Sequence, residues 1–416
     1  MNQPKRPLPS LAEIEREVVA ESREWGGGGW RNVCNNSPMN RARFFPLGQA
    51  KRREVSLRSE LGRVKLTVKY GQNRQTQQWG CPLLQQWGLG PHQKITPAWA
   101  EKLCFTVTAT GSYEEAAQVA SKWGQAVDDS TLHVLVQRVG GRAEEQTEQR
   151  LGQPPAERQP QRAASGLAVL MVDGWMARFR GAGWGKKRTQ KTRVDWHEMK
   201  TGVFYLQEQS ARTEAGRGLI EDKVIVHWQG EAMELGRRLH WEALRGGLGR
   251  ARQSLFLGDG APGIWNLKKD RWKEALGLLD FYHGSEHFWN LGRSVQGEEE
   301  SVLRPWVEPR LHQLRHGGEE KVLQEVAALK NRRGAVGAVI EREKNYFASH
   351  AVRMNYQSVA RRGWPIGSGA VESACRQKQC RFKRPGQFWT QAGFGRLAAL
   401  DQARRNHHWD QLWLAS

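Results

Sequence analysis

The sequence lacks the features of membrane and secreted proteins. None of its 416 residues belongs to a run approaching the roughly 20 consecutive apolar residues that a membrane-spanning helix requires. No apolar stretch follows the basic start of the chain, Met1 to Arg6, so no secretory signal is expected. We therefore predict a cytoplasmic protein.

Cysteine is scarce, and its spacing excludes two classes of small structural site. The count is odd and no pair has the C-x-x-C spacing, which argues against a disulfide framework and against a compact zinc ribbon. We expect reduced thiols, some of them buried. The cysteines are Cys34, Cys81, Cys104, Cys375 and Cys380.

Acidic residues are few relative to basic ones. Lys and Arg number 64 against 43 Asp and Glu, which gives a net charge of +21 and a pI near 10.1. A chain this basic should attract a polyanion, and nucleic acid comes first because phosphate neutralisation releases counterions. A ribosomal or chromatin-coating protein would carry the same charge. The 19 Trp fit core packing and arginine stacking, or stacking on unpaired bases.

The N-terminal third predicts a hairpin followed by short helices. Residues 1–54 lack periodicity and are expected to be poorly ordered. Apolar residues alternate with polar ones from Val64 to Tyr70, which predicts a half-buried strand paired with an earlier one around Leu61-Gly62. Helices are predicted to begin at Thr96-Pro97, at Ser112 and at Asp129-Ser130. The last two suggest a helix-turn-helix-like DNA-binding region over 55–140, although any small helical bundle has this pattern.

After a predicted linker over 141–165, rich in Gln, Glu, Arg and Pro, the pattern changes to strands. An unbroken apolar run at 167–172 predicts a central strand that is buried on both faces. Further strands alternate with helices, so we predict an α/β domain with a mixed five-stranded sheet. The other predicted strands are 201–206, 223–228, 254–257 and 276–282.

Acidic residues stand at three structurally distinctive positions. Asp173 follows the apolar run, Asp259 lies between two glycines after another strand, and Glu372 lies in the first turn of a helix. Turn and cap chemistry explains each of them alone. Together, carboxylates at strand ends and on a helix packed against the sheet supply the hard oxygen ligands that divalent cations prefer. Two such ions about 3.5–4 Å apart could drive in-line displacement at a phosphodiester.

These blocks resemble DDE transposases with a ribonuclease-H-like catalytic domain. The chain is most similar to ISKra-type transposases of bacterial insertion sequences, within the wider Mutator-like group, over roughly residues 55–410. The blocks that carry the resemblance are VDGWMARFRG, WHEMKTGVFY, LGDGAPGIWNL, LLDFYHGSEHFW and GWPIGSGAVES.

The resemblance implies that Asp173, Asp259 and Glu372 bind two Mg²⁺ or Mn²⁺ ions, and that 291–350 is a helical insertion into the core. It also implies that Asp280 and His283 form the Asp-x-x-His signature of the Mutator-like group, with His283 in a supporting catalytic role. Family members often carry a cysteine pair after the hairpin, whereas this chain has Cys81 alone, so no zinc is predicted there.

Clusters of basic residues are candidates for DNA contact. Those after Glu372 would flank the predicted active site, and those near residue 187 would lie in a loop; solvated surface is the alternative for both. The candidates are Thr131, His133, Gln137 and Arg138 in the third helix, Lys186, Lys187 and Arg188 in the loop, and Arg376, Lys378, Arg381, Lys383 and Arg384 beyond Glu372.

The sequence therefore predicts a nucleoid-associated transposase that cleaves DNA and transfers strands, assembling as a homodimer or higher oligomer on terminal repeats and target DNA. The alternatives are a silent or domesticated DNA-binding protein, or a related ribonuclease-H-like nuclease that hydrolyses without joining. The predicted core occupies 166–290, and the glutamate helix and basic tail occupy 351–416.

Overall fold

The computed structural model describes residues 47–74, 77–87, 89–90, 93–153, 155, 166–185, 193–214, 218–330 and 332–413. The chain divides into two compact units, Met1–Thr147 with Gln391–Ser416, and Glu148–Thr390. Among the described helices, none is both long and apolar enough to cross a lipid bilayer.

The described strands are β1 (Leu47–Ser59), β2 (Gly62–Asn73), β3 (Trp79–Gly80), β4 (Leu167–Arg180), β5 (Val194–Leu206), β6 (Ser210–Arg212), β7 (Gly218–Ile220), β8 (Val224–Gln229), β9 (Gln253–Gly258) and β10 (Leu276–Leu279). The described α-helices are α1 (Pro82–Gln86), α2 (Pro97–Ala109), α3 (Tyr113–Trp123), α4 (Asp129–Gly152), α5 (Ala232–Arg245), α6 (Pro262–Arg271), α7 (Phe281–Gln296), α8 (Glu300–Arg315), α9 (Glu319–Ala327), α10 (Gly334–His350), α11 (Tyr356–Arg361), α12 (Gly369–Phe382) and α13 (Gln391–Arg405).

In the first unit, β1 and β2 pair antiparallel, and Gly62 makes the turn with a φ of +121° that favours glycine. Residues of β2 alternate between buried and exposed, as the sequence predicts. β1 begins at Leu47, so the prediction of a poorly ordered segment up to residue 54 was wrong for 47–54; residues 1–46 lie outside the described residues. The start of β1 is cationic and has little apolar alternation of its own. It forms a strand because β2 is long enough to pair with it.

Helix α4 extends further than the sequence predicts. It continues to Gly152, so residues 141–152 are helical rather than part of a linker. The glycine at 140 signals close packing instead of a helix end, because a Cβ there would lie 2.5 Å from the carbonyl oxygen of Arg396. Gln, Glu and Arg after it are good helix formers. Most of 153–165 lies outside the described residues.

The C-terminal tail packs with the first unit rather than with the glutamate helix. Helix α13 buries Phe394, Leu397 and Leu400, and its buried Asp401 accepts hydrogen bonds from Arg404 and Arg405 at 3.0 and 2.8 Å. The predicted single region 351–416 is therefore split at residue 391. The cations of the tail serve packing within this unit.

The second unit contains a five-stranded mixed sheet in the order β10-β9-β4-β5-β8. β9 is parallel to β4 and β10, whereas β5 is antiparallel to β4 and β8. The predicted central strand is confirmed, since Leu167 to Val172 are buried. This mixed sheet with helices is consistent with a ribonuclease-H-like fold.

Helices cover both faces of this sheet. A Cβ at Gly202 of β5 would lie 2.6 Å from Leu239 of α5, while the neighbouring Thr201 interacts with Cys375 of α12. Because successive strand residues face opposite sides, α5 and α12 lie on opposite faces. The predicted helical character of 291–350 is confirmed by the end of α7 and by α8, α9 and α10.

Two predicted strand ends were wrong. β4 continues through Asp173 to Arg180 because β5, which begins at Val194 rather than 201, pairs with it over that whole length. β10 ends at Leu279, and Tyr282 lies in α7 because Asp280 caps that helix. The short pair β6–β7 was not predicted.

Candidate active site

A cavity of about 240 Å³ opens at one edge of the five-stranded sheet. It brings together Asp173, Asp259, Glu372 and His283, which lie far apart in the sequence. Its other lining residues are Val172, Asp280, Tyr282, Glu286 and Ser368.

The sheet register places the two aspartates side by side. The parallel ladder between β4 and β9 ends at the pair Val172 and Gly258, so Asp173 and Asp259 each follow a paired residue. Adjacent strands lie about 4.8 Å apart. Asp173 still pairs with Thr201 of β5, but it lies beyond the end of the ladder with β9. The end of the parallel ladder therefore creates the site.

Asp173 lies in an unfavourable environment for an isolated charge. Burial raises the pKa of its carboxyl group, and the charges of Asp259 and Glu372 raise it further. Hydrogen bonds from the Gly174 N–H, at 2.7 Å, and from the Cys375 thiol lower the pKa but do not offset burial. A cation in the cavity would relieve the repulsion between these carboxylates.

A buried polar network supports Asp173 from behind. Thr201 is fully buried, and its hydroxyl lies 2.9 Å from Nδ1 of His227 and accepts a hydrogen bond of 3.2 Å from Nε1 of Trp175. Cys375 interacts with both Thr201 and Asp173, and burial raises the pKa of its thiol to about 12. The sequence identified Cys375 only as a free thiol; its position one helical turn after Glu372 was the available signal.

Glu372 lies in the first turn of α12, where the helix dipole favours a carboxylate. The hydroxyl of Ser368 donates a hydrogen bond of 2.7 Å to Oε1 of Glu372. The N–H of Ser368 in turn donates a short hydrogen bond to Oδ2 of Asp280. Ser368 thus connects the glutamate with a second acidic residue of the cavity.

The spacing of the Asp-x-x-His segment matches a helix cap, in which Asp280 binds the backbone N–H of the residue three positions later. Asp280 caps α7, and its Oδ1 accepts a hydrogen bond of 2.7 Å from the N–H of His283. Both of its oxygens therefore bind backbone N–H groups, one at the start of α7 and one just before α12. His283, three residues into the motif, is left with its imidazole half-exposed on the cavity.

Helix α10 reaches the loop that carries Asp259. A Cβ at Gly260 would lie 2.1 Å from Cε2 of Tyr346 in α10, so the phenol ring covers this glycine directly. The ring stacks on His287 at 3.7 Å, and His287 lies 2.6 Å from the fully buried carboxylate of Glu343. No local sequence pattern indicated these contacts, because they join segments more than 50 residues apart.

The donor set of the cavity suits a hard divalent cation, since its charged ligands are carboxylate oxygens. Within the described ranges, no three His, Cys, Asp or Glu side chains already stand at metal-binding distances from one another. Oδ1 of Asp173 binds the N–H of Gly174, and Oδ1 of Asp259 binds the N–H of Ala261 at 2.8 Å. Binding of one ion by three of these side chains would therefore require them to move closer together.

The basic residues beyond Glu372 do not share one face. Lys378 and Arg381 point inwards: Lys378 is 2 % exposed, and Arg381 lies against the rings of Phe382 and Trp389. The structure thus presents only part of this cluster to a ligand. Arg376 is exposed, and Lys383 and Arg384 are half-buried.

The four candidate DNA-contacting residues in α4 do not lie together either. Thr131 and Arg138 line one cavity of the first unit, whereas His133 packs edge-on against Tyr113 and Gln137 accepts a hydrogen bond of 3.1 Å from Arg396. Lys186, Lys187 and Arg188 lie outside the described residues.

Comparisons with known proteins add little. No family model matches the chain, and no curated protein matches it. Among solved structures, a chain described as "Drosophila P element transposase strand transfer complex" matches with 10% sequence identity and a TM-score of 0.25, over 76% of this chain and 80% of that chain. A TM-score this low gives no support for a shared function, so the proposed function is based on the residues of the cavity.

Proposed function

We propose that this protein is a transposase that cleaves DNA and joins the freed end to target DNA with Asp173, Asp259 and Glu372. The observation that carries the proposal is that these carboxylates line one cavity at the end of a parallel ladder. Burial, together with the charges of Asp259 and Glu372, raises the pKa of Asp173, which supports the proposal because a bound cation would relieve this repulsion. The basic composition of the chain supports a nucleic-acid substrate.

Two Mg²⁺ or Mn²⁺ ions bound by these carboxylates would activate the attacking oxygen and stabilise the leaving oxygen. In the first step, water attacks the phosphorus at the element end, the bond to the 3′ oxygen breaks, and a 3′-hydroxyl is released. In the second step, that hydroxyl attacks a target phosphodiester and a target 3′ oxygen leaves. Asp173 and Asp259, from adjacent strands, and Glu372, from α12, would hold these ions.

The neighbouring residues orient these ligands. Ser368 holds Glu372 towards the cavity, and Asp280 fixes the start of α12 against the start of α7. The half-exposed imidazole of His283 faces the same space and supports catalysis by contacting the reacting phosphate. DNA is the proposed partner, and bringing two element ends together would require a dimer or larger assembly.

The test uses the purified full chain and a plasmid that carries the coding region with its native flanks. We expect Mg²⁺-dependent cleavage and joined products. Asp173→Asn, Asp259→Asn and Glu372→Gln should each reduce cleavage at least about 100-fold while DNA binding persists. Glu320→Gln, at an exposed position in α9, is the charge-matched control.

The outcomes separate the alternatives. Binding without any metal-dependent cleavage by the wild-type protein would indicate a silent DNA-binding protein. Hydrolysis without joining would indicate a related nuclease. Cleavage that survives Asp173→Asn unchanged would remove the carboxylate site from the mechanism.

A further inference from the structure

The first unit contains a cavity of about 290 Å³ between the end of β1, the segment 93–95 and the first turns of α4. Backbone hydrogen bonds join the segment to β1, from the Arg58 N–H to Lys94 and from the Thr96 N–H to Arg58 at 3.0 Å. The cavity is therefore built on a strand and a helix, not on a loose loop.

Three cationic side chains line this cavity and have no anionic partner in the part of the chain that the structure describes. Arg58, Lys94 and Arg138 line it, and none of them makes a side-chain hydrogen bond or ion pair with another described residue. Partial withdrawal from water, followed by the charge of Arg142, lowers the pKa of Arg138. Like charges gathered around one space repel each other, and a bound anion would relieve that repulsion.

Two acidic residues close in sequence to the lining residues are already engaged. Asp128, which precedes α4, accepts hydrogen bonds from the Thr131 N–H at 2.7 Å and from the hydroxyl groups of Ser130 and Thr131. Glu60 forms an ion pair with Lys102. No carboxylate lines the cavity among the described residues.

The rest of the lining is partly polar, with Gln93, Ser130 and Thr131, and partly apolar. Of the apolar residues, Ile95 and Leu135 are buried, and Val134 is 68% exposed on the surface of α4. An exposed valine beside guanidinium groups can cover the face of a deoxyribose while the cations bind its phosphate. Such mixed contacts to the phosphate and sugar position a protein on duplex DNA.

We propose that this cavity binds one backbone phosphate of duplex DNA through Arg58, Lys94 and Arg138, with Val134 against the adjoining deoxyribose. The site uses Thr131 and Arg138 of the helix, but not His133 or Gln137, and adds two cations from outside it. This inference rests on the DNA-binding part of the proposed function and does not depend on its chemistry.

The experiment measures binding of the full chain to a fluorescent duplex of arbitrary sequence in EDTA, across a salt series. Each of Arg58→Gln, Lys94→Gln and Arg138→Gln should weaken binding about tenfold at low salt, since each removes a charge-assisted contact. Because the cations share one phosphate, the triple variant should reduce the slope of log K against log salt by about 0.9. Three independent phosphates would give about 2.7 and would overturn the proposal.

The matched control is the triple variant Lys65→Gln, Lys69→Gln and Lys122→Gln, which removes the same charge from exposed positions of the same unit. Equal affinity and slope for the two triple variants would also overturn the proposal. Val134→Glu should abolish the contribution of the cavity, while its exposure leaves the melting temperature unchanged.

Cleavage separates this result from the proposed function. At protein concentrations above each dissociation constant, the cavity variants should still cleave the native-flank plasmid with Mg²⁺, whereas Asp173→Asn should not cleave it at any concentration. Absence of cleavage by the wild-type protein would contradict the proposed chemistry and leave the phosphate site to be judged by affinity alone.

Discussion

The phenol ring of Tyr346 lies so close to Gly260 that a Cβ on this glycine would be 2.1 Å from Cε2 of the ring. Tyr346 belongs to α10, and Gly260 directly follows Asp259. The phenol oxygen is buried and has no hydrogen-bond partner among the described residues. Helix α10 therefore packs directly on the loop that presents a proposed metal ligand.

Gly260→Ala should impair catalysis more than folding. The new methyl group forces either the ring or the loop of Asp259 to move, so we expect cleavage to fall at least about tenfold with little loss of DNA binding. Gly263→Ala is the control, because a Cβ there meets nothing within 4 Å. The double variant Gly260→Ala with Tyr346→Ala should recover part of the activity; no recovery would show that the ring is not the obstacle.

Ser368→Ala should weaken the site through Glu372. The hydroxyl of Ser368 donates the 2.7 Å hydrogen bond that orients this carboxylate, so its loss should raise the Mg²⁺ concentration for half-maximal cleavage about three- to tenfold. Ser368→Thr, which keeps the donor, should retain more activity. Ser373→Ala on the exposed side of α12 is the matched control, and an equal effect in both variants would contradict an orienting role.

Strands were predictable where the apolar pattern reports burial, as in the alternation of β2 and the unbroken apolar run at the start of β4. The end of β4 was not predictable, because residues 174–180 form a strand only through pairing with β5. The helical residues 141–152 were missed because they lack an apolar period.

The residues of the site also differ in whether a local sequence pattern could identify them. Asp173, Asp259 and Glu372 were predicted as site residues because each follows an apolar strand pattern or begins a helix, and one cavity brings them together. Tyr346 and Cys375 act through contacts with distant segments, which no local period reports. Lys378 and Arg381 were predicted to contact DNA from charge alone, whereas both are buried and their cationic groups lie near the ring of Phe382.

Cys375→Ala should change the pH dependence of cleavage. The thiol donates a hydrogen bond to Asp173 that lowers the pKa of this carboxyl group. Without this hydrogen bond, burial and the neighbouring charges should raise the pKa of Asp173 further. The acidic limb of the pH–rate profile should therefore shift to higher pH. Cys375→Ser keeps a donor and should shift the limb less, and Cys380→Ala, on the exposed side of the same helix, should leave it unchanged. Equal profiles for all variants would show that the thiol does not influence Asp173.

Asp173→Asn should stabilise the protein while abolishing cleavage. Burial raises the folded-state pKa of Asp173 above its unfolded value, so the ionised carboxylate destabilises the fold at neutral pH in the absence of divalent ions. The relative stability of the wild-type protein is therefore greatest below the unfolded pKa and is lost as pH rises through the folded pKa. In EDTA, the asparagine variant should melt at a higher temperature than the wild-type protein at pH 7, and the difference should shrink towards pH 4. Added Mn²⁺ should raise the melting temperature of the wild-type protein but not of the variant. A variant that melts below the wild-type protein at pH 7 in EDTA would contradict the electrostatic account of this site.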